Sequence, residues 1–408
     1  MKVCIIGAGM GGLAASIALQ QDDHETVVYE RVSDLRPVGA AISVWCNGVK
    51  VLAKLGLLKQ VERVSGQMNR MSYRKWDSGE VYCDFSLLPL YEEVKQRAYP
   101  IARAELQKML LDANAPAPIH LQKRAVSYST SEDSVTVSFE DGTTETADFV
   151  VIADGTHSKL RNQVTKTEIE RDYVGYVNWN GPIEMKEFEG LISNDNWTQF
   201  VGEGKRVSFM PMSATHYYFF FDVPLPLSSA PKRPEEYRST LAKHFGHWHP
   251  AVQRLVERLD PSKMARVEIH DTKKLPTLVD LESGRALLIG DAAHATCPDL
   301  GQGGCQAFED AFVLQQLFRE HRISPASPST KLDIETLRAV LRDFQDQRGD
   351  RTAELVLRAR KRSGVTHQLG DPQETLDWYE ELKTEDGTGI MRGMIKTILG
   401  APAQLDHP

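Results

Sequence analysis

The chain of 408 residues is 41% hydrophobic and 25% charged, and its formal net charge is −8. This length suggests two or three structural units with a sizeable core, and the composition is that of a folded globular protein rather than a disordered one. The acidic balance argues against nucleic acid as a partner.

Cysteine usage and hydropathy bear on the compartment of the protein. The five cysteines are widely spaced and include no CxxC pair, so they predict no disulfide framework. The longest apolar runs are far shorter than the ~20 residues of a membrane-spanning helix. The first residues already belong to a folding motif rather than to a signal peptide. We therefore expect a cytoplasmic enzyme without a membrane partner.

The first predicted element is a strand, a tight turn and a helix. Residues 3–12 read VCIIGAGMGG and are followed by the helical stretch LAASIALQQ. In such a motif Gly7 permits the sharp turn, Gly9 lets a pyrophosphate approach the backbone, and Gly12 lets the helix lie close to the strand. The free N–H groups at the start of the helix would bind the phosphates.

A second predicted strand, residues 26–29, ends in an acidic residue, Glu30, which lies eighteen residues after Gly12. A carboxylate at this distance can accept hydrogen bonds from the ribose hydroxyls of an adenosine, and it would repel the 2′-phosphate of NADP. The strand, the glycine turn, the helix and the acid together predict a site for FAD or NAD.

After residue 30 the simple alternation of strands and helices is interrupted. Residues 134–153 predict a hairpin and then a fully apolar strand that leads into Asp154. Several segments between 171 and 223 are β-like with little helical periodicity, which predicts a separate sheet. The apolar run at 286–290 returns the chain to the nucleotide-binding domain. Four apolar residues then have the spacing of an amphipathic helix: Leu337, Val340, Leu341 and Phe344.

The stretch GDAAHATCPDLGQGGC at 290–305 concentrates side chains that can carry chemistry. A zinc site needs two closely spaced ligand pairs, whereas His294 and Cys297 supply one. A Cys-His nucleophile is conceivable, but no oxyanion arrangement is visible. A ligand-facing crevice at the end of a buried strand accounts for more of the pattern, because Asp291 can accept a sugar hydroxyl and the glycines at 301–304 admit a flat ring. His294 and the cysteines are then structural.

Three motifs carry a family resemblance: GAGMGG at 7–12, ADGTHSKLR at 153–161 and GDAAHATCPDLGQGG at 290–304. In this order they resemble the single-component FAD-dependent aromatic hydroxylases. The resemblance implies that Glu30 binds the adenosine ribose, that Arg103 lies near the flavin phosphates, and that Asp154 and Asp291 contact the cofactor. The full set of implied FAD-binding positions is Gly7, Gly9, Met10, Gly11, Gly12, Glu30, Arg31, Arg103, Asp154, Asp291, Gly301, Gln302, Gly303 and Gly304.

That family implies an α/β fold in three parts. We expect a Rossmann-like FAD-binding domain formed by residues 1–70, 100–165 and 276–335. A β-sheet substrate domain, residues 71–99 and 166–275, is expected as an insertion in it. Residues 336–408 are expected to form a C-terminal helical region.

Further segments, at 37–50, 175–181, 201–211 and 218–226, are similar to the FAD-dependent urate hydroxylases within that family. Cys46 departs from this subgroup, in which proline is expected. The likeness implies a monooxygenase in which NADH reduces FAD and the reduced flavin forms a C4a-hydroperoxide with O2. The hydroperoxide then hydroxylates urate at C5, giving 5-hydroxyisourate.

The same likeness implies the substrate site. Urate is anionic near neutral pH, so the site needs a cation, and Arg206 is the candidate to pair with it through a planar fork. Tyr218 is the candidate for a directed hydrogen bond, and Pro298 is expected to line the site. From the residues alone, Arg206 could instead be a surface strand residue and Tyr218 a core residue.

Two alternative functions stay open. The same machinery could hydroxylate a phenolic acid or another aromatic heterocycle, and some proteins of this fold bind a flavin without turnover. The three histidines His244, His247 and His249 are interpreted as structural, because their segment ends in a proline turn and no carboxylate is suitably placed in the sequence.

Overall fold

A computed structural model describes residues 1–35, 39–323, 333–402 and 405 of the chain. Residues 37 and 38 of the segment at 37–50 lie outside this range. Within the described residues there are eighteen strands and thirteen α-helices. The strands are β1 (Lys2–Ile6), β2 (Glu25–Tyr29), β3 (Ala41–Val44), β4 (Arg70–Lys75), β5 (Val81–Ser86), β6 (Tyr99–Ala102), β7 (Ile119–His120), β8 (Ala125–Thr130), β9 (Val135–Phe139), β10 (Thr144–Ala147), β11 (Phe149–Ile152), β12 (Arg171–Glu184), β13 (Asn196–Gly202), β14 (Lys205–Pro211), β15 (His216–Pro224), β16 (Ala265–Thr272), β17 (Val279–Asp280) and β18 (Ala286–Leu288).

The helices are α1 (Met10–Gln20), α2 (Cys46–Lys54), α3 (Leu58–Val64), α4 (Leu88–Val94), α5 (Arg103–Ala113), α6 (Leu160–Thr165), α7 (Tyr237–Phe245), α8 (Pro250–Arg258), α9 (Asp291–His294), α10 (Gly303–Glu320), α11 (Ile334–Thr366), α12 (Pro372–Thr384) and α13 (Thr388–Leu399). None of the described helices combines the length and the apolar character that crossing a bilayer requires.

The first sheet has six strands in the order β17-β18-β11-β1-β2-β7. All neighbours pair in parallel except β17 and β18, which are antiparallel. Strands β1, β11 and β18 are almost wholly apolar because helices and the three-stranded sheet β10-β9-β8 cover them. This arrangement confirms the predicted α/β class. Because β18, β11, β1 and β2 are parallel neighbours, the residues that follow them meet at one edge of the sheet.

The second large sheet has seven strands in the order β16-β12-β15-β14-β13-β4-β5. Its strands come from residues 70–86 and 171–272, and two strands of the first sheet, β7 and β11, lie between these ranges in the chain. One face packs its apolar residues against α7 and α8, and this core includes Val177, Trp179, Val207 and Phe209. Since side chains alternate along a strand, the residues between them face the other way, toward the six-stranded unit.

The C-terminal part of the chain is helical. The longest helix is α11, with 33 residues, and it buries the four apolar residues predicted at its start, Leu337, Val340, Leu341 and Phe344. The end of α11 reaches the polar face of the seven-stranded sheet. The helix therefore contributes side chains to a region that two other parts of the chain also form.

Candidate active site

The glycine turn after β1 is built as its sequence predicts. Gly7 has a φ of +109°, and a Cβ at Gly12 would lie 2.0 Å from the Gly7 oxygen, so the turn and the helix are in direct contact. A Cβ at Gly9 would meet nothing within 4 Å, and this residue begins α1 as its N-cap. The backbone here is open to a ligand at a helix N-terminus.

Glu30 lies beside that turn at the end of β2. Its carboxylate accepts hydrogen bonds from the Ala8 N–H at 2.8 Å and the Val32 N–H at 3.1 Å. These contacts fix the carboxylate at the mouth of a cleft that Gly7, Gly9 and the exposed Arg31 also line. The predicted adenosine-binding residues are therefore together in one place.

Asp154 follows β11 and lines the same cleft. Its Oδ1 is buried and has no hydrogen-bond partner among the described residues. Burial raises the pKa of this carboxyl above its usual value, although Ser158 and Arg161 act in the opposite direction. An unpartnered buried acceptor in a cleft is what a hydroxyl-bearing ligand would satisfy.

Arg161 joins the ends of two neighbouring strands. Its guanidinium donates to the Asp291 oxygen at 2.9 Å and the Ala292 oxygen at 2.6 Å, after β18, and to the Thr156 oxygen at 3.2 Å, after β11. Arg161 is the last residue of the motif at 153–161, but the sequence assigns it no role. The side chain of Asp291 itself is exposed at the start of α9.

The second glycine-rich segment packs against the first. Gly301 has a φ of +62°, and a Cβ there would lie 2.5 Å from Trp45 Nε1. Met10 Cε is 3.6 Å from the Cβ position of Gly304, and a Cβ at Gly11 would lie 3.1 Å from that of Ala307 in α10. The turn after β1 and the start of α10 thus form adjoining walls.

Gln302 and Gly303 occupy the N-terminus of α10. Gln302 is buried and accepts a hydrogen bond from Asn47 Nδ2 at 2.9 Å, while Gly303 is the first helical residue. His294 lies 2.6 Å from the Asp310 carboxylate, and Cys297 and Cys305 are buried free thiols. All three side chains are buried.

Arg103 begins α5, with its N–H bonded to the Ala40 oxygen at 3.1 Å. Its guanidinium lies 3.5 Å from the Cβ position of Gly39 and is close enough to Tyr218 to influence that phenol. The structure therefore places Arg103 near Tyr218 of the seven-stranded sheet.

Arg206 on β14 is buried in a group of carboxylates. Its Nε donates to Asp222 Oδ2 at 2.8 Å, and its Nη2 lies 2.7 Å from the same oxygen and 3.0 Å from Asp299 Oδ1. Nη1 has no hydrogen-bond partner among the described residues. Two of the three nitrogens of the predicted fork are thus already engaged, and one remains for a ligand.

Asp299 is the residue after Pro298, which is exposed. Besides Arg206, Tyr176 and Ser363 donate hydroxyl hydrogen bonds to its Oδ2, and His367 Nε2 lies 3.2 Å from Oδ1. Burial alone would raise the pKa of this carboxyl, but the contacts with Arg206 and His367 outweigh burial and hold the pKa well below its usual range. Asp299 is therefore ionised.

Tyr218 lies on β15 in the row of residues that faces the cofactor unit. Burial raises the pKa of its phenol and Asp222 adds to this effect, whereas Arg103 and Arg206 act in the opposite direction. Tyr218 thus keeps its proton and can donate a hydrogen bond. Its ring centre is 5.6 Å from that of Phe220, over which the Arg206 guanidinium lies at 5.1 Å.

Four residues of this site have no role in the sequence interpretation: Tyr176, Asp222, Asp299 and His367. A signal existed for Tyr176, which is in phase with Asn178 and Asn180 between apolar neighbours in VGYVNWNG. The aromatic run before Asp222 has no such alternation. Asp299 and His367 lie in a loop and at a helix end, where no period identifies a face.

The histidines of the segment 244–249 have separate contacts. His247 Nε2 lies 3.3 Å from Glu203, a carboxylate that is distant in sequence, and His249 caps α8 by accepting from the Ala251 N–H. Within the described part of the chain no group of three His, Cys, Asp or Glu side chains is arranged to hold a metal.

Comparison with known proteins defines the class. A family model described as FAD binding domain matches residues 1–330. Together with the glycine turn, the placement of Glu30 and the unpartnered Asp154 oxygen, this match makes the protein an FAD-binding one. The chain belongs to the family of FAD-dependent aromatic hydroxylases, which are monooxygenases.

Within that family the most informative relatives match over their full length. An FAD-dependent urate hydroxylase of Klebsiella pneumoniae is 47% identical over 402 residues, 98% of this chain and 100% of that protein. Another, of Mycolicibacterium vanbaalenii, is 46% identical over 404 residues, 98% of each chain. The crystal structure of Klebsiella pneumoniae HpxO complexed with FAD and uric acid superposes with a TM-score of 0.89 at 45% identity, over 98% of this chain and 97% of that one.

Proposed function

We propose that this protein is a urate hydroxylase that uses FAD, NADH and O2. In the overall reaction urate, NADH, a proton and O2 give 5-hydroxyisourate, NAD⁺ and water, with one oxygen atom entering at C5. The observation that carries the proposal is the full-length similarity to urate hydroxylases, which includes the seven-stranded sheet as well as the FAD-binding part. A phenolic acid as substrate is favoured less, because relatives that act on such a compound are only 28% to 29% identical.

The cofactor is held by the edge of the six-stranded sheet. The turn at 7–12 and the N-terminus of α1 receive the pyrophosphate, Glu30 accepts the adenosine ribose, and Asp154 Oδ1 accepts a further hydroxyl. Asp291 and the segment 301–304 border the flavin. Bound FAD supplies the redox chemistry, accepting a hydride from NADH and activating O2.

The substrate is held by the polar face of the seven-stranded sheet. Arg206 presents Nη1 to the urate anion, while Asp222 and Asp299 fix the plane of its guanidinium. Tyr218 donates a hydrogen bond to a urate oxygen or nitrogen, and Pro298 covers the exposed side. These residues bind and orient the substrate, and the surrounding aromatic side chains exclude water.

The test is an NADH-oxidation assay with the FAD-loaded protein. We expect urate to stimulate NADH oxidation and to be consumed in equal amount, whereas salicylate and other phenolic acids stimulate little. A flavin that NADH bleaches and air recolours would separate an enzyme from a protein that only carries FAD. Preference for a phenolic acid, or a flavin whose reduction urate does not affect, would contradict the proposal. The same assay with NADPH tests the choice of nicotinamide cofactor.

A further inference from the structure

The end of α11 places a buried histidine against the two carboxylates that hold Arg206. The side chain of His367 has no exposed surface, and its Nε2 lies 3.2 Å from Asp299 Oδ1 and 4.0 Å from Asp222 Oδ2. These are the same two oxygen atoms that contact Arg206 Nη2. The four groups therefore form a closed ring in which nitrogen and carboxylate oxygen alternate.

The charges of these four groups do not balance unless the histidine is positively charged. Asp222 and Asp299 carry two negative charges and are fully buried, whereas Arg206, at 7% exposed, carries one positive charge. Removing an uncompensated charge from water is strongly unfavourable. A second cation in contact with the two carboxylates would remove that cost.

The other titratable groups at this place cannot supply the second cation. Tyr176 faces the two carboxylates from β12, and burial raises the pKa of its phenol above the ordinary value. Cys297 lies next to Asp299, and burial raises the pKa of its thiol to about 12. Ser363, on the same helix as His367, is neutral. Of the described groups that contact the two carboxylates, His367 is the one whose protonation adds a positive charge.

The imidazole is oriented for this role. Its ring packs against that of Tyr176, with centres 4.1 Å apart and an angle of 31° between the ring planes. The hydroxyls of Tyr176 and Ser363 both donate to Asp299 Oδ2. Oδ1 is thereby left to Arg206 and His367. The buried Nδ1 has no hydrogen-bond partner among the described residues, so Nε2 is the ring nitrogen that contacts the carboxylates.

We propose that His367 is a positioning residue of the substrate site, and that its protonated ring balances Asp222 and Asp299 so that Arg206 can accept an anionic ligand at Nη1. With a neutral imidazole, the cluster of Arg206, Asp222, Asp299 and His367 has a net charge of −1 and repels urate. With a protonated ring the cluster is neutral, and the local dipole of Nη1 attracts the anion. The identity of the anionic substrate rests on the proposed function, whereas the charge state of the His367 imidazole does not.

The first test compares His367→Gln with wild type in FAD-loaded enzyme. Glutamine keeps an N–H donor of similar reach but cannot be charged. We expect KM for urate to rise about tenfold or more near neutral pH, with a smaller change in kcat and unchanged FAD content.

Ser363→Ala is the matched control, since it removes an uncharged donor from the same carboxylate. We expect it to raise KM for urate less than His367→Gln does. A His367→Gln variant whose KM for urate equals that of wild type would overturn the inference. A wild-type protein without urate-dependent turnover would instead contradict the proposed function, and the inference would then be decided by the measurement below.

That measurement needs no substrate. In ¹⁵N-histidine-labelled holoenzyme, which has 12 histidines, the ring signal that disappears in His367→Gln identifies His367. At pH 7 this signal should have the two equivalent protonated nitrogens of an imidazolium. A neutral pattern, with one protonated and one unprotonated nitrogen, would overturn the proposal. His367→Asn provides the assignment if the glutamine variant does not fold.

Discussion

Arg206 illustrates what governs a single residue of this site. A guanidinium at 7% exposure needs anionic partners, and it has two, Asp222 and Asp299, which are 16 and 93 residues away in sequence. These partners raise the pKa of Arg206 even though burial opposes this, so its charge is permanent. They also fix the guanidinium plane, which leaves Nη1 as the nitrogen that can bind a ligand.

Replacing Arg206 should separate substrate hydroxylation from cofactor oxidation. In Arg206→Gln we expect FAD binding to persist, because Arg206 lies on the seven-stranded sheet and not at the cofactor cleft. The kcat/KM for urate should fall about ten- to a hundredfold, the effect of one charged hydrogen bond, while NADH oxidation without product continues. Stopped-flow flavin absorbance and urate consumption measure the two rates.

The control for this substitution is Arg258→Gln, in an arginine that is 58% exposed at the end of α8 and pairs with Glu187. It should leave both rates unchanged. Equal loss of hydroxylation and NADH oxidation in Arg206→Gln, or no loss of either, would count against a role for Arg206 in binding urate.

At the scale of the element, the strand, turn and helix at the N-terminus depend on local sequence. Gly7 adopts a φ of +109°, and the Cβ positions of Gly7 and Gly12 are both filled by backbone atoms, of Ala153 and of Gly7 respectively. Backbone cannot move aside as the end of a side chain can. Only glycine therefore allows α1 to begin this close to β1 and β11.

Gly12→Ala should damage this element severely. The added methyl group would lie 2.0 Å from the Gly7 oxygen, so we expect a loss of unfolding free energy of roughly 3 kcal/mol or more from overpacking. FAD affinity should fall with it. Thermal unfolding and flavin fluorescence on release measure both effects.

A suitable comparison is Gly393→Ala in α13, where a Cβ would meet nothing within 4 Å and the φ is not positive. There alanine should stabilise the helix by up to about 1 kcal/mol. If the two variants behaved alike, close backbone contact at Gly12 would not be the reason for its glycine.

At the scale of the whole molecule, a buried polar group ties three segments together beneath the cofactor site. Asp310 in α10 accepts from the Gly290 N–H at 2.8 Å and lies 2.6 Å from His294, in the segment after β18. Arg348 of α11 donates to its other oxygen at 2.7 Å and also contacts Glu309. Helix α11 thus links α10 to the segment after β18.

This group predicts how stability depends on pH. Burial alone would raise the pKa of Asp310, but His294 and Arg348 outweigh burial and lower the pKa to about 2. A carboxyl whose folded pKa is depressed stabilises the protein above its unfolded pKa and loses this effect as pH falls through the folded value. The full contribution is about 2 kcal/mol, present above about pH 4 and lost toward pH 2.

Urea unfolding at pH 5 and pH 3, with saturating FAD, measures this effect. The free energy of unfolding of Asp310→Asn should decline less between the two values than that of wild type, by about 1 kcal/mol. Glu257→Gln, at an exposed carboxylate in α8, should follow wild type. Equal declines in wild type and Asp310→Asn would show that Asp310 does not carry the stabilisation.

Features of the site that depend on neighbouring residues could be predicted from the sequence. The glycine turn, Glu30 at the end of β2 and the apolar strand before Asp154 all follow from local periodicity and from the backbone freedom of glycine. The α/β class was predictable for the same reason, and the family resemblance supplied the cofactor. The placement of Arg206 on a strand also follows from a local pattern.

The tertiary structure alone decided what surrounds those residues. That Arg206 meets Asp222 and Asp299, that His367 joins them from the end of α11, and that Asp310 links α10 to α11 could not be predicted, because no local period specifies which side chain of a loop or helix end reaches a given strand. Such contacts are set by how the two sheets and the long helix pack. The sequence determined the glycine turn and the strand ends beside it because they are built from short-range elements. Packing decided the cluster around Arg206 because its charged groups come from separate segments of the chain.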